Sequence, residues 1–81
     1  MGWWRTFGPL RGWPMNRGER LRTLRLDQGV RLSHVAEVLA VHPSTIWRWE
    51  SGEVRPTDDQ VVAYVDACHL PAIRAVEVID G

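Results

Sequence analysis

The sequence contains little that covalent, metal or membrane chemistry could use. One cysteine among 81 residues cannot form an internal disulfide, so a cytoplasmic location is expected. The three histidines have no cysteine or acid at metal-ligand spacing, so we expect neither metal nor cofactor. Without a Gly-rich phosphate loop or a nucleophile–base pair, we expect no catalytic residue and no enzyme. Apolar runs are too short to cross a membrane.

Lysine is also absent, since all ten basic residues are arginine. A GC-rich genome explains this more simply than selection for binding phosphate or guanine does, although arginine suits both ligands. The net charge of zero conceals a gradient: +2 over residues 1–16, +2 over 17–55 and −4 over 56–81. The basic part is compatible with a local DNA footprint, whereas the zero total argues against strong non-specific DNA binding.

The chain length and its 44% hydrophobic content predict a single globular domain. Residues 1–15 carry several Gly and Pro and no periodicity, which predicts an irregular Trp-rich arm before a domain at 16–81. The three Trp of the arm could pack on the domain or contact a partner. Alternatively, the arm could reflect an upstream start codon, with Met15 as the true first residue.

Hydrophobic periodicity predicts an all-α fold, a compact bundle of four to five short helices. Helices are expected at about 16–28, 32–40, 43–51 and 57–69. A fifth segment at 71–79 repeats apolar residues every three positions, which leaves helix and extended chain both open.

Caps and apolar stripes support these boundaries. Asn16 followed by Glu19 is a capping-box arrangement, and Thr57 is a good N-cap for the fourth helix. In the first helix, Leu26 is expected to extend the apolar stripe of Leu21 and Leu24. Around this stripe alternate four arginines: Arg17, Arg20, Arg22 and Arg25. In the fourth helix the predicted apolar face comprises Val61, Val62, Tyr64, Val65 and Cys68, the last as a small core residue.

The second and third helices are separated by the short connection Ala40-Val41-His42. In the third helix, Ile46 and Trp49 are expected to point inward. The outward or lateral positions are Ser44, Thr45, Trp47 and Arg48. Two short helices joined by such a turn form a helix-turn-helix, whose second helix enters the DNA major groove. An ordinary antiparallel helix pair would show the same pattern.

The stretch from Gly29 to Pro56 resembles the lambda-repressor-like, Cro-type helix-turn-helix family. The matching positions are Gly29, Val35-Ala36, Leu39, Val41, Ser44-Thr45-Ile46, Arg48, Trp49-Glu50, Gly52 and Pro56. The resemblance extends over about residues 16–70. It implies a domain of about five helices that binds double-stranded DNA.

The resemblance also implies roles for individual residues. Four align with positions that approach base edges: Pro43, Ser44, Trp47 and Arg48. Five others would lie near the DNA backbone: Arg31, His42, Thr45, Ser51 and Arg55. For Arg48 a phosphate contact or a solvated charge is an equal alternative. For Trp47 we favour burial against a neighbouring helix or the arm.

A further implication of the resemblance is a structural ion pair between Arg25 and Glu50 beneath the turn. The chain departs from the family pattern at four positions. Leu32 replaces a phosphate-binding Gln, Ala40 replaces the turn glycine, His42 replaces a Ser or Thr N-cap, and Pro43 brings no polar group to the first base-reading position. Ala40 must therefore adopt a left-handed conformation or change the turn.

These observations predict a bacterial or phage transcriptional regulator that binds operator DNA. A homodimer is expected, since one domain makes few base contacts, and Ile73, Val76 and Ile79 are candidates for its interface. The prediction also suits an antitoxin that represses its own operon. The alternative is a protein-interaction module in which the same fold binds a protein partner. An enzyme is a distant third.

Overall fold

The computed structural model of the protein describes residues 16–80 and consists, over that range, of five α-helices without a strand. The expected all-α bundle is therefore confirmed. The helices are α1 (Arg17–Gln28), α2 (Leu32–Leu39), α3 (Pro43–Ser51), α4 (Asp58–Ala67) and α5 (Ala72–Asp80). The predicted arm at 1–15 lies outside the described residues. None of the described helices is long and apolar enough to cross a membrane.

The helix starts follow the local signals in the sequence. The Asn16 side chain accepts a hydrogen bond from the Glu19 N–H at 2.8 Å, and the Asn16 N–H donates to Glu19 Oε1 at 3.0 Å, so the expected capping box forms. Thr57 forms the same reciprocal box with Gln60 at the start of α4. The end of α4 differs from the prediction. The helix stops at Ala67 and not at residue 69, and His69 adopts a left-handed φ of 62°.

The core lies where α1 packs against α3, α4 and α5, and where α2 packs against α3 and α4. Its large, fully buried side chains include Leu21, Ile46, Val35, Val61 and Tyr64. The segment at 71–79, left open between helix and strand, is part of helix α5, which buries Ala75 and Val78 against the bundle.

Two residues expected on apolar faces are instead exposed. Leu26 is 54% exposed and Val62 is 45% exposed. Successive residues turn by about 100° in a helix, so Leu26 lies about 200° from Leu24 and points away from the core. Val62 lies about 100° around the helix from its buried neighbour Val61.

Helices α1 and α3 approach closely at Gly18. A Cβ atom at this position would lie 1.7 Å from the Trp49 carbonyl oxygen, so only glycine fits the observed backbone. The C-terminal half of α3 therefore rests directly on the backbone of α1.

Candidate nucleic-acid interface

The connection between α2 and α3 depends on a left-handed residue. Ala40 has φ 58° and ψ 43°. This is the left-handed conformation expected where the family pattern has a turn glycine. The Ala40 N–H donates to the Glu37 carbonyl at 3.2 Å, and the Val41 N–H donates to the Ala36 carbonyl at 3.0 Å. These bonds satisfy the end of α2 and turn the chain sharply into α3.

His42 caps the start of α3, as expected from its position. Its Nδ1 accepts a hydrogen bond from the Ser44 N–H at 3.1 Å and lies 2.8 Å from Ser44 Oγ. Pro43 follows at the first helical position, where its lack of an N–H costs nothing. Ser44 is therefore engaged in the cap, which leaves the lone pairs of its hydroxyl as the group available to an outside ligand.

Helix α3 has a buried side and an exposed side. Ile46, Trp49 and Glu50 are buried. Trp47 is 58% exposed, so its expected burial against a neighbouring helix is wrong. The reason is its position on α3, about 100° around the helix from Ile46. Contact between Trp47 and the arm would involve residues outside the described range.

Arg48 shares the exposed side of α3. Its Nε lies 3.9 Å from Glu53 Oε2, and the two side chains are 55% and 59% exposed. Such an exposed pair is worth at most about 1 kcal/mol, so Arg48 can exchange Glu53 for another anion. Ser51, a predicted backbone-binding residue, donates its hydroxyl to the Arg48 carbonyl at 3.1 Å.

The remaining predicted DNA-contacting residues differ in burial and in the element that carries them. Thr45 is half-buried in the first turn of α3. Arg31 is exposed at the N-cap of α2 without a side-chain cap bond. Arg55 is exposed in the loop between α3 and α4. Arg31 and Arg55 therefore lie on the elements that adjoin α3. The other predicted DNA-contacting residues lie on α3 or at its N-cap: His42, Pro43, Ser44, Thr45, Trp47, Arg48 and Ser51.

Beneath the exposed side, Glu50 is the centre of a buried polar network. Arg25 Nε donates to Glu50 Oε2 at 2.7 Å, and Arg25 Nη2 donates to Glu50 Oε1 at 2.9 Å. The Tyr64 hydroxyl also donates to Glu50 Oε2. The side chains of Arg25 and Glu50 are only 9% and 4% exposed. The expected pair is thus present, and it joins α1, α3 and α4 through a third residue that sequence reasoning did not identify.

Comparison with known proteins decides the family. A model of the helix-turn-helix domain family matches residues 18–76, more than half of the chain. The chain belongs to the helix-turn-helix domain family. The match runs from the first turn of α1 into α5 and includes the α2–turn–α3 unit. No curated protein matches the chain, and no solved structure does.

Membership of the helix-turn-helix family indicates a DNA-binding regulator as the general class. In this helix-turn-helix domain, hydrogen bonding and burial raise the pKa of two side chains of the network beneath α3. The hydrogen bond to Glu50 raises the pKa of Arg25. Burial, followed by the hydrogen bond to Glu50, raises the pKa of Tyr64 far above its usual value. Both side chains are therefore fully protonated at neutral pH.

Further titratable side chains of the helix-turn-helix domain lie outside this network. Residues 16–80 hold no cluster of three or more His, Cys, Asp or Glu that could bind a metal. The ring centroids of His34, on α2, and His69, after the end of α4, lie 5.7 Å apart with the ring planes tilted by 38°. Cys68 is fully buried, and burial raises the pKa of its thiol to about 11, so at neutral pH it is an unreactive core residue.

Proposed function

We propose that the protein is a sequence-specific DNA-binding transcriptional repressor of the lambda-repressor-like type. The strongest support is that α3, which follows a tight turn, has one buried side and one exposed side. Ile46, Trp49 and Glu50 anchor the helix, so Trp47 and Arg48 are free to meet a ligand. A nine-residue helix is about 13 Å long, and the major groove admits it.

In this proposal α3 is the reading helix. Arg48 donates to a guanine edge, the commonest specific contact in the major groove. Trp47 contacts a thymine methyl group or a sugar, while Ser44 offers its hydroxyl lone pairs and Pro43 only its ring. Backbone contacts by the surrounding residues set the register and not the sequence choice. These backbone residues are Arg31, His42, Thr45, Ser51 and Arg55.

We further propose a homodimer on a pseudo-palindromic operator, because one reading helix with so few polar side chains gives little specificity. Two reading helices would be about 34 Å apart. The outer face of α5 supports this proposal, since Ile73 is 61% exposed and Val76 is 46% exposed. Ile79 is half-buried against the core and contributes less. The proposed repressor is a cytoplasmic binding protein without catalytic activity.

Selection from a randomised operator library, followed by a salt titration, tests the proposal. The selected DNA should contain an inverted repeat with half-sites one helical turn apart. The logarithm of the binding constant should fall against the logarithm of salt concentration with a slope of about −0.9 per phosphate contact. The absence of both enrichment and salt-dependent binding would disprove the proposal.

Two arginine variants then separate reading from backbone binding. Arg48→Ala should abolish preference at one position of each half-site, at a cost of about 1–3 kcal/mol in discrimination. Arg55→Ala is the matched control: it should weaken binding to all sequences equally and reduce the salt slope by about one. Uniform weakening by Arg48→Ala would assign Arg48 to a phosphate.

A second candidate function is a protein-interaction module, including an antitoxin that binds its toxin. It is supported by two large exposed apolar residues, Trp47 on α3 and Val38 on α2, which are 58% and 52% exposed. The same selection experiment distinguishes the candidates, since an interaction module without DNA function would enrich no operator.

A further inference from the structure

A cavity of about 390 Å³ opens between the start of α1, the turn after α3 and the end of α5. Its volume lies within the range of small-molecule sites. The polar part of its wall includes Arg20 and Arg55, and the apolar part includes Trp49, Val54 and Ile79. Arg55 is the member of this wall that also belongs to the proposed DNA surface.

Arg20 is the unusual member of the wall, because it is only 9% exposed and has no ion-pair partner among residues 16–80. Its Nη1 donates to the Val78 carbonyl at 3.3 Å. Its Nε is buried and has no hydrogen-bond partner among residues 16–80. No carboxylate in that range lies within 4.0 Å of it, whereas the neighbouring Arg17 has Asp58 at 2.9 Å. Arg20 thus stands apart as a buried cation lacking a counter-ion within the described part of the chain.

A buried guanidinium without a counter-ion favours the binding of an anion, because an unpaired charge away from water is costly. With Nη1 on the backbone, the edge formed by Nε and Nη2 makes no hydrogen bond to residues 16–80. A carboxylate accepts strong, charge-assisted hydrogen bonds from a guanidinium group. Residues 1–15 contain no Asp or Glu, so that segment supplies no carboxylate side chain.

The remainder of the cavity determines the kind of anion. Arg17 is already engaged, because its Nη1 donates to the Pro56 carbonyl and to Asp58 Oδ1, both at 2.9 Å. Arg55 supplies a second, exposed cation, and Asp80 opposes it with one negative charge. Apolar side chains beside Arg20 suit a hydrophobic body better than a fully hydrated ion.

We propose that this cavity binds a small amphipathic organic acid, with its carboxylate on Arg20 and its apolar part against Trp49. This is a ligand site in addition to the proposed DNA surface, and its existence does not depend on DNA binding.

The test uses the full chain and the probe indole-3-acetate, followed by ¹H–¹⁵N NMR. Saturable shifts should appear at Trp49, Gly52 and Val78, with a dissociation constant of about 1 mM or tighter for a ligand of this size. Indole lacks the charge, whereas acetate and inorganic phosphate lack the apolar body. Each should bind at least about tenfold more weakly. Equal binding of all four probes, or no saturable binding of indole-3-acetate, would overturn the proposal.

Variants locate the site. Arg20→Met keeps the methylene stem and should abolish saturable binding, whereas Arg74→Met, on α5 outside the cavity, should bind as the unmodified chain does. Asp80→Asn removes the opposing charge and should tighten binding about three- to tenfold. This variant decides the question even if Arg20→Met fails to fold. Loss of stability in Asp80→Asn without tighter binding would make Asp80 the counter-ion of Arg20 and overturn the proposal.

Discussion

Replacing Glu50 by Gln should destabilise the domain strongly, because it removes the carboxylate charge that pairs with Arg25 beneath α3. Glu50 accepts two hydrogen bonds from Arg25 and one from Tyr64. Its side chain is 4% exposed, so water cannot replace the lost carboxylate. Glutamine would also place an NH₂ group where one of the two carboxylate oxygens accepts hydrogen bonds, so donors would face donors.

Breaking a buried pair by removing one partner costs about 3–5 kcal/mol. Arg25 keeps its hydrogen bond from Nη1 to the Val30 carbonyl at 2.9 Å, and glutamine keeps one acceptor oxygen. We therefore expect the lower end, about 3 kcal/mol. A domain of this size is stable by roughly 4–12 kcal/mol, and its melting temperature should fall by about 12–24 °C.

The assay is urea unfolding followed by circular dichroism at 222 nm and pH 7. Arg22→Met is the control, since the exposed Arg22 lies 4.0 Å from Glu50, and its cost should be below about 0.5 kcal/mol. The combined variant Arg25→Met, Glu50→Leu and Tyr64→Phe should recover more than half of the loss, because neither a charge nor the Tyr64 hydroxyl is then left buried without a partner. A Glu50→Gln loss below about 1 kcal/mol, or a combined variant that is less stable than Glu50→Gln, would refute the reasoning.

Other predictions follow from backbone fit and from buried titratable groups. Gly18→Ala should cost about 1–3 kcal/mol in urea unfolding, since its Cβ would meet the Trp49 carbonyl oxygen; an unchanged midpoint would contradict the close approach. Ala40→Gly should stabilise by about 0.5–1 kcal/mol by relieving the left-handed alanine, so a loss would contradict the turn geometry. Burial raises the pKa of Cys68 to about 11 and that of Tyr64 further. Stability should therefore be full below about pH 8.5 and fall as pH rises toward 11, with Tyr64 contributing above about pH 10. In an unfolding series from pH 7 to 11, Tyr64→Phe should flatten the fall above pH 10, and an unchanged slope would contradict this assignment.

Features determined by neighbouring residues could be predicted from the sequence. The Asn16 capping box, the Thr57 cap and the glycine end of α1 each depend on a few adjacent positions. The resemblance left two alternatives at Ala40, a left-handed backbone or a changed turn, and the structure has the left-handed backbone.

Features determined by packing between helices could not be predicted. Leu26 and Val62 are apolar and adjacent to core residues, but the orientation of each helix in the bundle leaves them exposed. Arg20 is one of several alternating arginines in the sequence. Its burial involves a contact with α5, where it donates to the Val78 carbonyl. The bond from Tyr64 to Glu50 joins residues of α3 and α4; the only signal was a single hydroxyl on an otherwise apolar helix face.

The division of α3 into two sides has a consequence for how this protein can change. Substitutions on the buried side alter the fold, because Ile46 and Glu50 contact α1 and α4 through the core. Substitutions at exposed positions such as Trp47 and Arg48 should usually change stability by less than about 0.5 kcal/mol. New binding preferences can therefore be acquired at those positions one residue at a time, without compensating changes elsewhere, which makes α3 a favourable helix for randomisation in directed evolution.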